Sequence, residues 1–86
     1  MIIVSQNKAL IVNFDNVNFI DVDIEDDEFV VEINYGNSDW ENIGWYKTEE
    51  RAKEVLQEIV GKYRQWNKDS NDAVTIIPKV YEMPKE

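Results

Sequence analysis

The chain is 86 residues long and carries 18 acidic and nine basic side chains, so its formal charge is −9. The absence of cysteine excludes disulfides and thiolate chemistry, and the absence of histidine removes the commonest catalytic base and metal ligand. The negative charge disfavours direct binding to the phosphate backbone of a nucleic acid. Apolar residues make up 43% of the chain and recur periodically, which predicts one folded α+β domain over 1–86.

Short apolar runs predict strands in the first half of the chain. Ile2–Val4 and Ala9–Val12 are apolar at consecutive positions, which indicates a hairpin with both faces covered. Phe19–Glu25, Phe29–Tyr35 and Trp40–Tyr46 predict three further strands, with turns at the polar residues between them. The five strands follow one another closely, which favours an antiparallel meander.

The stretch from Asp21 to Glu32 contains seven carboxylates. Apolar and acidic residues alternate along its first half, and the side chains of a strand point alternately to opposite faces. The apolar set, predicted to enter the core, is Ile20, Val22 and Ile24, and the acidic set, predicted to face water, is Asp21, Asp23 and Glu25. Asp26 and Asp27 predict the turn into the next strand. The hairpin therefore presents one strongly negative face.

One amphipathic helix is predicted over about 49–66. Thr48 is its expected N-cap, and Glu49 and Glu50 place negative charge at the positive end of the helix dipole. Apolar residues recur at helical spacing and predict one stripe that packs on the sheet. The stripe consists of Ala52, Val55, Leu56, Ile59, Val60, Tyr63 and Trp66.

The C-terminal part, about 73–83, predicts a last strand or an extended tail. Ala73–Ile77 has the composition of a sixth strand, and Pro78 lacks a backbone donor, which limits this segment to a sheet edge. Val80–Met83 is expected to continue as a tail. The predicted fold is thus a five- to six-stranded antiparallel sheet packed by one helix.

The spacing of the acidic residues suggests a metal site. Asp21, Asp23, Glu25 and Glu32 match positions 1, 3, 5 and 12 of the calcium-loop motif. The position that needs glycine for a sharp turn holds Asp26, and the flanking residues alternate as in strands instead of forming the two helices of the motif. The pattern favours a solvated hairpin, so neither a metal nor a cofactor is predicted.

Catalysis is also disfavoured. Carboxylate pairs act as acid and base where a pocket separates their pKa values, and carboxylates on a strand face in water are predicted to lack such a pocket. Ser5, Ser38 and Ser70 have no histidine to activate them, and isolated glycines form no phosphate-binding loop. The sequence predicts a non-enzymatic protein.

The aromatic residues are better candidates for a role in binding, because Trp and Tyr are enriched at interface hot spots. Trp40 lies beside a predicted turn and is the candidate for exposure. Core packing is the favoured interpretation for Trp45 and Tyr46 beneath the helix, and for Trp66 at the end of the helical stripe. Gly44, inside the fifth strand, predicts a bulge or a close backbone approach.

Three parts of the chain carry a resemblance: Met1–Gln6 with Ile11–Asn16, Ile43–Ile59, and Val80–Pro84. Together they resemble a family of small uncharacterised proteins encoded by phages and prophages of Firmicutes. Its pattern is a β-meander, a strand ending in Gly-x-Tyr-x-Thr-Glu-Glu-x-Ala, one amphipathic helix and a Tyr-x-Met-Pro tail. The chain departs from this pattern in its longer connection at 67–75 and in its acidic hairpin. The resemblance implies an origin in mobile elements, whose small proteins often antagonise host machinery or immunity, and it assigns no catalytic residues.

The leading hypothesis is a phage-type binding protein that inhibits a bacterial host or defence protein in the host cytoplasm. Four apolar residues at the start of the chain are too few for the core of a signal peptide, so no export is expected. Strand residues two apart are separated by about 6.8 Å, near the spacing of phosphates along one DNA strand, so carboxylates can substitute for phosphates on a basic partner surface. The predicted partner-binding residues are Asp21, Asp23, Glu25, Asp26, Asp27, Glu32 and Trp40.

Two alternatives stay open. A sponge for a nucleotide immune signal would use Trp40 for stacking and Lys47, Arg51 and Arg64 for phosphate contacts. A structural role through homodimerisation would use an unpaired edge strand, because such an edge invites pairing with a second copy.

Overall fold

A computed structural model describes residues 1–36, 38–69 and 79–86, without the side chains of residues 66–69. This part of the chain has an α+β fold, as predicted. Its strands are β1 (Ile2–Val4), β2 (Ile11–Asn13), β3 (Phe19–Glu25), β4 (Glu28–Asn34), β5 (Trp40–Tyr46) and β6 (Val80–Glu82), and its helix is α1 (Glu49–Asp69). A short 3-10 helix, Phe14–Asn16, follows β2. The predicted strand at 73–77, Pro78 and the predicted packing of the Trp66 side chain lie outside the described residues.

The strands form two three-stranded sheets, which corrects the prediction of a single sheet of five or six strands. β3, β4 and β5 form the predicted antiparallel meander. β1 lies between antiparallel β2 and parallel β6, so the first and last described strands of the chain are neighbours. Apolar runs of three residues indicate extended backbone but do not specify a partner so distant in sequence.

The small sheet buries one face only. Ile3 and Val12 enter the core, whereas Ile11 is 70% exposed, so the prediction that both faces of this hairpin are covered is wrong. Ile3 and Val12 belong to the same buried cluster as residues of the meander and of the helix, whereas Ile11 and Asn13, on the opposite face of β2, are exposed. Ile24 was predicted to enter the core but is 65% exposed, because it lies near the end of β3, next to the hairpin turn. Ile20 and Val22 pack against the core as predicted.

The core lies between α1 and the two sheets. Thr48 Oγ1 accepts a hydrogen bond of 3.1 Å from the Arg51 backbone N–H, which confirms Thr48 as the N-cap. Ala52, Val55 and Ile59 are fully buried along the predicted helical stripe. The remaining members of the core are Ile3, Val12, Val31, Ile33, Ile43, Tyr46, Tyr81 and Met83.

The C-terminal residues after β6 are fastened to three parts of the fold. Tyr46 Oη donates to the Pro84 carbonyl at 2.9 Å, and Gln6 Nε2 donates to the Lys85 carbonyl at 2.7 Å. Arg51 Nε donates to the main-chain oxygen of Glu86 at 2.8 Å. This segment is therefore part of the folded domain. Of the two predicted forms of the C-terminal part, a last strand or an extended tail, the structure has a strand at Val80–Glu82.

Candidate functional site

The face of the meander that points away from α1 collects the acidic hairpin residues and two tryptophans. We call it the outer face. By strand alternation and cross-strand pairing it comprises Phe19, Asp21, Asp23, Glu25, Glu28, Val30, Glu32, Asn34, Trp40, Asn42 and Trp45. Val30 lies at its centre between Asp23 and Trp45 and is fully buried, so the outer face is a packed surface and not a loose array of charges.

A β-bulge places both tryptophans on this face. In a regular strand Trp40 and Trp45 would point to opposite sides, because they are five positions apart and strand side chains alternate. The pairing shifts between Val31 and Glu32, so that Asn42 is opposite Glu32 and Gly44 is opposite Val31. Beyond this bulge Trp45 joins the outer face and Tyr46 enters the core.

The bulge determines which of the aromatic residues of β5 enter the core. Core packing beneath the helix is confirmed for Tyr46, which is 2% exposed, and is wrong for Trp45. Trp40 is 44% exposed, as predicted. Gly44 confirms the predicted bulge and close approach, because a Cβ there would lie 2.7 Å from the ring of Tyr46 and 2.8 Å from Met83 Cε. The odd spacing of the tryptophans around a strand glycine was the available signal.

A cleft of about 630 Å³ opens on the outer face between the two tryptophans. The residues that line it are Asn7, Ala9, Leu10, Glu25, Glu32, Trp40, Glu41, Asn42 and Trp45. Glu41 is opposite Ile33 in the strand pairing and so belongs to the edge of the cleft and not to the outer face. The β1–β2 connection forms one wall because Gln6 docks on the free edge of β5. The Gln6 backbone N–H donates to the Ile43 carbonyl at 2.8 Å, and Gln6 Oε1 accepts from the Trp45 backbone N–H at 2.7 Å.

Asp21 and Glu32 form a pair of facing carboxyl groups in the middle of the outer face. They lie directly opposite each other in the β3–β4 pairing. Burial raises the pKa of Glu32 from 4.5 to about 7, with further contributions from Asp21, Asp23 and Glu25. The Oδ1 atom of Asp21 is buried without a hydrogen-bond partner, and a proton on Glu32 supplies a donor toward Asp21.

This raised pKa corrects the prediction that carboxylates on the strand face stay in an ordinary aqueous environment. The sequence shows that Asp21 and Glu32 are acidic but not that the meander register sets them face to face. It also does not show that the β1–β2 connection and Trp45 reduce the access of water to this region. Partial burial and the neighbouring like charges together raise the pKa of Glu32.

Five of the seven predicted partner-binding residues share the outer face: Asp21, Asp23, Glu25, Glu32 and Trp40. Asp26 and Asp27 form the predicted two-residue turn between β3 and β4, with φ angles of 50° and 65°. Two successive positive φ angles define a type I′ turn, which matches the twist of a hairpin. Glu28, opposite Glu25, is a further acidic member of the face that the prediction did not include.

The residues of the alternative nucleotide site are not brought together. Lys47 and Arg51 line a separate cleft of about 470 Å³ near the start of α1, whereas Trp40 lies in the acidic cleft of the outer face. Arg51 is engaged by Glu54 at 3.3 Å and by Glu58 at 3.5 Å. Arg64 is thirteen residues further along α1 than Arg51, about 20 Å away at 1.5 Å per residue.

Among the described residues, no group of three or more acidic side chains is arranged to hold a metal ion, and no helix is long and apolar enough to cross a membrane. Comparison with known proteins adds no assignment: no protein-family model matches the chain, and neither a curated protein nor a solved structure matches it. The site is therefore interpreted from its own geometry and charge.

Proposed function

We propose that the chain is a non-enzymatic binding protein of phage type, which inhibits a bacterial host or defence protein by covering a basic surface with the outer face. The phage origin rests on the family resemblance of the sequence, and the cytoplasm as place of action rests on the absence of cysteine and of an apolar run long enough for a signal peptide. The binding role rests on the outer face itself, and one observation carries it.

That observation is the juxtaposition of like charges on a partly aromatic sheet face. Asp21 faces Glu32, and Glu25 faces Glu28, in direct cross-strand pairs. Like charges directly opposite each other destabilise a sheet, so folding alone gives no reason to keep both pairs. Residues that destabilise the local structure are expected at functional sites. A cationic partner would be attracted to both carboxylates of a pair and would offset their mutual repulsion.

Exposed aromatic residues beside the carboxylates support the same proposal. Phe19 and Trp40 are 48% and 44% exposed and pack edge to face, with ring centroids 5.0 Å apart. Aromatic anchors next to complementary charge are typical of the energetic centre of an interface. The carboxylates would steer the encounter, and the aromatic pair would supply the buried apolar area.

Affinity capture from the lysate of a Firmicutes bacterium tests the proposal. The combined variant Asp21→Asn, Asp23→Asn and Glu25→Gln should lose the captured partner, and capture by the wild-type chain should weaken as salt is raised through 0.15 M, where the Debye length is about 8 Å. A matched control removes three charges from α1, on the opposite side of the sheet, by Glu49→Gln, Glu50→Gln and Glu54→Gln. Equal recovery with the outer-face variant and the control would reject the outer face as the binding surface.

A further inference from the structure

Three carboxylates line the cleft between Trp40 and Trp45. Glu25, Glu32 and Glu41 all line it, and none of the ion pairs identified among the described residues involves them. Lys8, in the loop that forms one wall, is instead paired with Glu82 at 3.3 Å. The cleft thus concentrates negative charge that the described chain does not neutralise.

The polar groups of the cleft are already oriented. Asn42 Nδ2 donates to Glu25 Oε2 at 2.7 Å, which holds that carboxylate across the floor of the cleft. The orientation of this carboxylate is therefore already fixed, so a charged ligand meets it with little further loss of side-chain freedom.

The aromatic walls are held in place as well. Trp40 is fixed by its edge-to-face contact with Phe19, and the backbone of Trp45 is fixed by the bond from its N–H to Gln6 Oε1. Ala9 and Leu10 add apolar surface. A ligand suited to this cleft therefore has an apolar stem, a flat face that stacks on indole and a cationic head with several donors.

We propose that the cleft binds an arginine side chain of the partner protein, an inference that rests on the proposed function and specifies the chemistry of the residue inserted. A volume of about 630 Å³ lies within the range of small-ligand clefts, so an arginine with its flanking backbone has room to enter. The guanidinium is planar, stacks on aromatic rings and binds carboxylates through two parallel hydrogen bonds. The lysine ammonium has no flat face and is more strongly hydrated, so the same cleft discriminates against it.

Glu32 couples this binding to pH. The groups that face it are Asp21, Asp23 and Glu25 from β3 and Asn42 from β5, which is opposite Glu32 in the strand pairing. A guanidinium in the cleft favours ionised Glu32, so binding releases a proton near neutral pH. With a pKa of about 7, ionised Glu32 rises from a small to a large fraction between pH 6 and pH 8, which strengthens arginine binding by up to about tenfold.

The test uses the capped peptides Ac-Gly-Gly-Arg-Gly-Gly-NH₂ and its lysine and citrulline counterparts, titrated into the ¹⁵N-labelled full chain. Citrulline keeps the shape of arginine without its charge. The arginine peptide should shift the indole N–H signals of Trp40 and Trp45 saturably and bind about three- to fivefold more tightly than the lysine peptide. The citrulline peptide should not bind at the same concentrations.

Variants separate the cleft from the rest of the acidic surface. Trp40→Leu and Glu25→Gln should each weaken arginine binding at least about threefold, Glu32→Gln should abolish its dependence on pH, and Glu50→Gln on α1 should change nothing. Equal affinity for the arginine and lysine peptides, or no effect of Trp40→Leu and Glu25→Gln, overturns the arginine site. In that case, loss of lysate capture in the Asp21, Asp23 and Glu25 variant would still support the proposed function, so the two failures are distinguishable.

Discussion

Asp21 and Glu32 show how two residues of the same charge tolerate each other on a sheet. Their carboxyl groups are opposed across β3 and β4, and the pKa of Glu32 is raised to about 7 by burial and by neighbouring acids. At neutral pH part of the population therefore holds a proton on Glu32, which reduces the repulsion and supplies a donor to the buried Asp21 Oδ1. When Glu32 loses that proton, the two facing carboxylates are both negative and repel each other fully.

Glu32→Gln should stabilise the protein at pH 8 and not at pH 4. A group whose folded pKa lies above its unfolded value of 4.5 contributes stability below about 4.5, and this contribution is lost as pH rises through 7. Glutamine does not ionise, so the variant does not lose this stability as pH rises. Its free energy of unfolding should therefore exceed that of the wild type by an amount that grows between pH 5 and pH 8 to about 1 kcal/mol, the scale of one cross-strand pair. Urea unfolding of variant and wild type across this range measures it. A gain that does not depend on pH would contradict the assignment, and Glu50→Gln is the control.

Gly44 and Gly61 are expected to respond oppositely to alanine. A Cβ at Gly44 would lie 2.7 Å from the buried Tyr46 ring, which is held by its bond to the Pro84 carbonyl, so Gly44→Ala should cost about 1–3 kcal/mol. Nothing lies within 4 Å of a Cβ at Gly61, which is exposed in the interior of α1, so Gly61→Ala should stabilise by about 1 kcal/mol. Thermal unfolding of both variants checks the pair. A stable Gly44→Ala variant would mean that the bulge is more open than described.

Among the secondary-structure elements, the β3–β4 hairpin has a turn whose two residues are poorly suited to its backbone conformation. Asp26 and Asp27 both have positive φ, a conformation that Asn and Gly adopt more readily. Their charges also add to those of Glu25 and Glu28, which flank the turn. The hairpin therefore carries both conformational and electrostatic strain at its tip.

The double variant Asp26→Asn and Asp27→Gly should raise the free energy of unfolding by about 1 kcal/mol, because Asn-Gly is the preferred pair for a type I′ turn. The variant Asp26→Asn and Asp27→Asn removes the same two charges without the glycine, so the difference between the two variants measures what glycine contributes at position 27. Urea unfolding compares the two. An equal gain in both would show that glycine at position 27 contributes nothing.

Several elements were predictable from local pattern. β3, β5, the start of α1 at Glu49 and its cap at Thr48 lie where the alternation, the helical spacing and the capping preference predict them. Features that depend on distant partners were not predictable. The parallel pairing of β1 with β6 and the docking of Gln6 on β5 both join distant parts of the chain. The bulge was predicted at Gly44, but the sequence did not show that it moves Trp45 to the outer face.

At the scale of the whole molecule, the C-terminal segment closes the core. β6 pairs with β1, the Met83 backbone N–H donates to the Val4 carbonyl at 3.0 Å, and the Met83 side chain is 2% exposed next to Gly44. The segment also ends near the start of α1, where Arg51 holds the main-chain oxygen of Glu86. Both ends of the described chain thus stabilise the same core that supports the outer face.

Met83→Ala should therefore destabilise the domain by about 2–4 kcal/mol through loss of buried apolar surface and creation of a cavity. Val80→Ala is the matched control in the same strand segment, because Val80 is half exposed and its truncation should cost less than about 1 kcal/mol. Urea unfolding gives both values. Equal and small effects would show that the C-terminal segment is not part of the cooperative core.

The outer face and the helix lie on opposite sides of the meander, so the molecule has one acidic–aromatic side and one side covered by α1. The central claim is that the first of these is the side that meets a protein partner. The claim concerns contact in the cell, and a crosslink formed from a defined position reports contact directly.

The most direct test places the photocrosslinking residue p-benzoylphenylalanine at position 40 on the outer face or at position 57 on the exposed side of α1, in chains expressed in a Firmicutes cell. We expect a discrete protein adduct from position 40, lost in the background of Asp21→Asn, Asp23→Asn and Glu25→Gln, and none from position 57. Adducts from position 57 alone, or adducts from position 40 that persist in the outer-face variant, would contradict it.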